Sequence, residues 1–143
     1  MREFLMFRVG RELFAAELRA VEEAVDLTTA TQVPGAPASV RSVLTLRGAL
    51  VPIFSAAYAL GVEPLGATTA LIVRDDAGRI AIATDDVEDV LSVAENELRP
   101  VPTGAHDAGV LRGVVRRGPD LVAIVDLDAL VAACRGSQQR GAA

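Results

Sequence analysis

At 143 residues, with 51% hydrophobic and 23% charged side chains, the chain has the length and composition of one globular domain. A net charge of −5 and only five aromatic residues exclude the basic, ring-bearing surface of a nucleic-acid binder. One cysteine (Cys134), one histidine (His106) and no lysine among 14 basic residues exclude a disulfide framework, a multi-cysteine or multi-histidine metal centre, Schiff-base chemistry and a phosphate-loop lysine. The apolar runs, such as 121–125, are too short to cross a bilayer, and Met1-Arg2-Glu3-Phe4 shows no secretory signal.

In chain order, residues 4–9 alternate loosely between apolar and polar, and the pattern resumes over 12–17 after Gly10-Arg11, which predicts a hairpin. Val21, Ala24 and Val25 have the i, i+3, i+4 spacing of a helical turn, running into an extended segment to Leu27. Val33-Pro34-Gly35-Ala36-Pro37 predicts an extended connector, because proline fixes φ and has no ladder donor. A second hairpin is expected over 43–46 and 50–54, turning at Arg47-Gly48-Ala49, with Ser55 capping a helix over 56–60. Residues 70–74 and 79–84 flank Asp75-Asp76-Ala77-Gly78, whose Asp and Gly suit a tight turn. Asp85 or Asp86 then reads as the N-cap of a helical turn over 87–91. Arg99-Pro100-Val101-Pro102 is a second connector, and 111–116 and 121–125 a last hairpin about Arg117-Gly118-Pro119-Asp120. Asp126 caps a helix over 127–134, and the small, polar residues 136–143 are expected to be a flexible tail.

These elements occur twice. Leu5-Met6-Phe7-Arg8 returns 66 residues later as Leu71-Ile72-Val73-Arg74, and Val21-Glu22-Glu23-Ala24-Val25 as Val87-Glu88-Asp89-Val90-Leu91. Leu50-Val51-Pro52-Ile53 returns 71 residues later as Leu121-Val122-Ala123-Ile124, with Arg47-Gly48 resembling Arg117-Gly118. The repeat implies a single domain, 1–143, of two halves at about 4–60 and 70–131. Hairpins without a long crossover helix exclude a parallel α/β sheet and favour two small antiparallel barrels. Some 60 residues per half is marginal for independent stability, so the halves are expected to share a core.

Candidate chemistry is sparse. The acidic run Asp85-Asp86-Val87-Glu88-Asp89 lacks the spaced ligands and turn glycine of a calcium loop. Cys134 has apolar helix neighbours Leu130 and Val131, and His106 lies in a loop beside Asp107, so nothing pairs them as nucleophile and base. Ser55 lacks the glycines of a nucleophile elbow. Arg47 stands at a hairpin tip between Leu46 and Gly48, where it reads either as an exposed turn arginine or as a recognition arginine at a protein interface.

From residue 4 to about 133 the chain resembles the CheW-type chemotaxis coupling proteins. The resemblance is carried by residues 4–9, Val21-Glu22-Glu23-Ala24-Val25, Val33-Pro34-Gly35-Ala36-Pro37 and, most sharply, Ser42-Val43-Leu44-Thr45-Leu46-Arg47-Gly48-Ala49-Leu50-Val51-Pro52-Ile53. In the second half Leu111-Arg112-Gly113-Val114 and 121–127 add to it. It implies an all-β fold of two intertwined five-stranded SH3-like antiparallel barrels with short helices. It also implies a scaffold without catalysis or cofactor, in the cytoplasm or at membrane-associated receptor clusters, with no nucleic-acid or direct membrane contact. The implied partners are the cytoplasmic tip of methyl-accepting chemoreceptors, received in the groove between barrels, and the regulatory domain of the histidine kinase CheA. The implied receptor-binding residues are Arg47, Leu46, Val21 and Glu23, and the kinase-binding ones Ser42, Val43 and Gly48. The sequence departs from the family pattern at Thr45 (usually asparagine), Ser42 (commonly glycine), Phe54-Ser55 (usually aliphatic-aspartate) and Ala24 (usually Val or Ile). A receptor-bound protein that does not engage the kinase, and a small-ligand sensor using the inter-barrel cleft, are the alternative readings.

Overall fold

The computed structural model describes residues 1–27, 31–32, 40–102 and 109–142, without the side chains of 31–32, 40–41 and 137–142. The connector Val33–Pro37 and His106 lie outside the described residues. The first half supplies β1 (Arg2–Val9), β2 (Glu12–Glu17), β3 (Glu23–Asp26), β4 (Thr31–Gln32), β5 (Val40–Leu46), β6 (Ala49–Ser55) and α1 (Ala56–Leu60). The second supplies β7 (Thr69–Asp75), β8 (Gly78–Thr84), β9 (Asp86–Val93), β10 (Leu111–Arg117), β11 (Asp120–Val125) and α2 (Leu127–Ala142).

The two sheets exchange hairpins. One runs β10-β11-β2-β1-β9 and the other β3-β7-β8-β6-β5-β4, so each half lends its first hairpin to the other's barrel. The exchange creates one parallel pair in each sheet, β2 with β11 and β8 with β6, in otherwise antiparallel ladders. Strands of different halves can pair in parallel without a βαβ crossover. The duplication extends to an irregularity: the register slips between Val40 and Ser42 on β5 and between Leu111 and Gly113 on β10, the same place in each half.

Period-two alternation explains how the hairpins serve two cores at once. On β1 and β2, Phe7, Val9, Phe14 and Ala16 point one way, while Phe4 and Ala15 point the other. On β7 and β8, Leu71, Val73, Ile80 and Ile82 join the first set, and Ala70, Ile72 and Ala81 fill the opposite barrel. The shared cluster lies between the barrels, and Leu60 of α1 and Leu127, Leu130, Val131 and Cys134 of α2 pack into it. Both faces of each exchanged hairpin are therefore buried only when both halves are folded, which answers the size problem of the separate halves.

All four predicted hairpin turns are present, and both predicted caps hold: Tyr58 N–H donates to Ser55 Oγ (3.1 Å) and Ala129 N–H to Asp126 Oδ1 (3.2 Å). Three expectations are corrected. Residues 87–91 are not a helical turn but part of strand β9, whose pairing with β1 slips between Met6 and Phe7. That bulge reverses the faces along β9, so Val87 packs against the shared core while Leu91 and Val93 enter the second barrel's core, and Val90 is left exposed. In the first half a 3₁₀ turn precedes the segment (Leu18–Ala20), and Glu23–Asp26 is extended. Asp85 caps no helix: its Oδ2 accepts from Gly10 N–H (2.9 Å) and Leu65 N–H (2.8 Å), tying the first hairpin turn to the segment joining the halves. Finally, α2 continues to Ala142, past the expected end at Cys134. No proline interrupts it, and Gly136 and Gly141 each cost a helix only about 1 kcal/mol.

Candidate protein-interaction site

The turn between β5 and β6 holds Arg47 and Gly48 at φ 49° and 82°, the positive pair of a type I′ hairpin. Among the described residues Arg47 is the one non-glycine with positive φ. An L-residue in that region costs on the order of 1–2 kcal/mol, which makes the position worth a functional explanation. From this turn the side chain reaches strand β3 at the far side of the sheet, where Nη2 lies 2.6 Å from Glu23 Oε1. The ion pair closes the seam of the first barrel, yet the arginine side chain is still 65% exposed. Leu46, beside it, packs partly into the first barrel's core, and Val21, just before β3, packs against the shared core. The structure thus brings Arg47, Leu46 and Glu23 to one seam, with Val21 two residues from Glu23.

The corresponding seam of the second barrel is built differently. Arg117, the last residue of β10, donates to the Ser92 carbonyl oxygen through Nη2 (2.6 Å) and to Glu97 Oε2 through Nη1 (2.8 Å). Glu97 also accepts from Ala94 N–H (2.8 Å), and this amide, then Arg117, holds its carboxyl below the ordinary range. Strand pairing places Leu46 opposite Ala49 and Arg117 opposite Asp120, so both turns have two central residues. The structural counterpart of Arg47 is therefore Gly118 (φ 57°), not Arg117 as the sequence alignment suggested.

Ser42 and Val43 sit toward the other end of β5, opposite Ile53 and Pro52, both half-buried. Five residues at about 3.3 Å each put Ser42 roughly 16 Å from Arg47. Gly48, grouped with them by resemblance, instead adjoins Arg47 in the turn, where an added Cβ would meet nothing within 4 Å. The counterpart of Ser42 is Gly113, where an added Cβ would meet the Arg99 carbonyl oxygen at 2.5 Å. Glycine is a packing requirement there; at Ser42, which faces Gln32 of β4, a side chain is accommodated.

A network that sequence reading missed lies beside β3. Glu22 binds Arg74 Nε (3.1 Å) and Arg79 Nε (3.0 Å), and the Arg79 hydrogen bond keeps its carboxyl below the ordinary range. The two arginines flank the Asp75–Gly78 turn at paired positions, a register visible in the sequence once the hairpin is drawn. Cys134 is buried and desolvation pushes its thiol up to about 12, the opposite of what a nucleophile needs. Among the described residues no group of three His, Cys, Asp or Glu side chains is placed to hold a metal ion, and no helix is long and apolar enough to cross a membrane. In the shared core Phe7, Phe54 and Leu130 are fully buried; a cavity of about 380 Å3 borders that core at Phe14, Leu60 and Val110, and one of about 830 Å3 lies between Ser42 and Ile53, α1 and the Gly61–Ala67 segment.

The CheW-like domain family matches residues 3–135. The chain belongs to the CheW-like family. It is 33% identical over 134 residues to the chemotaxis protein CheW of Rhizobium meliloti (strain 1021), covering 90% of this chain and 86% of that protein. The chemotaxis protein CheW of Thermotoga maritima is 23% identical over 131 residues, covering 90% of this chain and 87% of that one. The crystal structure of the scaffolding protein TtCheW from Thermoanaerobacter tengcongensis superposes with a TM-score of 0.79 at 22% identity, over 90% of this chain and 86% of that one. The CheW-like fold, two intertwined SH3-like barrels, is thus shared by both chains, and the exchanged hairpins are how this sequence builds it.

Proposed function

We propose that the chain is a non-catalytic adaptor of a bacterial chemosensory system, linking the cytoplasmic tip of chemoreceptors to the regulatory domain of the histidine kinase CheA. Membership of the CheW-like family over residues 3–135 supports a chemotaxis coupling role. The observation that carries the receptor assignment is Arg47: exposed, held in a left-handed backbone, and kept in place by Glu23. With Leu46 and Val21 beside it, this seam offers an apolar margin for a helical hairpin and a planar cation to fix its register. The kinase domain is assigned to the other end of β5, at Ser42 and Val43; Gly48, which adjoins Arg47 in the turn, is not carried into that contact. The site of action would be the cytoplasm, at receptor clusters.

The test is a titration of the purified chain with a receptor signalling-tip fragment and, separately, with the kinase regulatory domain. Binding of both supports the adaptor. Binding of the receptor alone would identify a receptor-bound protein outside the kinase assembly, and binding of neither would remove the reading. Ser42→Gly separates the two contacts: it is expected to strengthen kinase binding and leave receptor affinity unchanged.

A further inference from the structure

We propose that Arg74 and Arg79 form a second docking point for the receptor hairpin, taking a carboxylate from the same partner that meets Arg47; this deepens the adaptor reading and rests on it. The two arginines stand directly opposite each other on β7 and β8, a placement in which like charges repel. One carboxylate offsets both, and Glu22 reaches each of them through Nε. The terminal nitrogens of both guanidiniums make no hydrogen bond among the described residues, while the Arg74 side chain is 57% exposed. The nearby acids do not take them up. Asp75 is held by Arg135 at 2.7 Å through both oxygens, and Asp76 is exposed on the turn.

A shallow groove of about 340 Å3 runs from Ala49 and Leu50, just past Arg47, to Arg74 and Arg79, with Asp75 and Asp76 also on its wall. Leu50 is 71% exposed, an apolar point between two cationic ones. A helix presents residues at i, i+3 or i+4, and i+7 on one face. The occupant that fits is an amphipathic helix with an apolar residue over Leu50 and an acidic residue about one turn to either side. Because the chain carries a net charge of −5, these arginines fix register at close range rather than attract an acidic partner from afar.

The experiment titrates the full chain with a receptor signalling-tip fragment at two salt concentrations, as wild type, Arg47→Ala, Arg74→Ala and Arg79→Ala. Arg74→Ala and Arg79→Ala are each expected to weaken binding about three- to tenfold and to flatten its salt dependence. Thermal midpoints should stay within about 3 °C of wild type, since the lost pairs are exposed. Arg74→Lys and Arg79→Lys, which keep a point charge without the fork, should recover part of the loss. Weakening by Arg47→Ala alone, with both arginine variants binding as wild type, would overturn the proposal and leave the adaptor reading intact. Failure of the wild type to bind the fragment would remove the adaptor reading and the proposal together.

Discussion

In the second barrel, the β10–β11 hairpin carries Arg117, whose guanidinium is bonded to Ser92 and Glu97, and its turn uses Gly118 where positive φ is required. In the first barrel, the equivalent hairpin places an arginine at that positive-φ position, gives it one carboxylate partner, and leaves most of its side chain in solvent. At this position the second hairpin follows the backbone's preference and the first goes against it. A strained, exposed cation held by a single ion pair contributes little to stability, since such pairs are worth about 0–1 kcal/mol. Its exposure and left-handed backbone are what the proposed binding role accounts for. The second seam makes the matching point that the same hairpin can be closed firmly when it has only a structural task.

The difference can be broken in several ways. The largest effect is expected from Arg47→Ala, which should weaken receptor-fragment binding by about 1–3 kcal/mol in a calorimetric titration while stability changes little. Gly118→Arg, which puts an arginine at the corresponding turn position of the second barrel, should cost about 1–2 kcal/mol in denaturant unfolding, because a side chain there must adopt φ 57°. Arg117→Ala should cost about 1 kcal/mol of stability and leave receptor binding alone, the reverse of Arg47→Ala. Arg47→Gly should unfold within about 0.5 kcal/mol of wild type, since relief of the left-handed backbone offsets the lost ion pair and the greater freedom of the unfolded glycine. The smallest effect concerns acid. Glu97 has a native value lowered from 4.5, so its contribution is complete above that value and disappears as pH falls through the lowered one. The thermal-midpoint gap between wild type and Arg117→Ala should therefore narrow on acidification.

Much of the fold could be read from sequence because alternation, turn residues and caps are local signals. The four hairpins and the caps at Ser55 and Asp126 are of this kind. The exchange of hairpins was expected from the family resemblance, since nothing local in β1 or β7 says which barrel it enters. The apolar spacing of Val87, Val90 and Leu91 imitates a helical turn although Val90 is exposed on the strand, and Asp85 looks like a cap because its true partners, Gly10 and Leu65, are distant in sequence. At the candidate site, Arg47 was found by its turn, but its partnership with Glu23 was not a matter of spacing. It depends on the sheet curling until β3 faces the β5–β6 turn. The Glu22, Arg74 and Arg79 network went unnoticed for the same reason.

The central claim is that receptor and kinase meet different ends of β5, and titrating the kinase regulatory domain into chain already saturated with receptor fragment tests it most directly. The account predicts that kinase binding survives receptor saturation and survives Arg47→Ala. Exclusion of the kinase domain by bound receptor, or loss of both partners with Arg47→Ala, would contradict it.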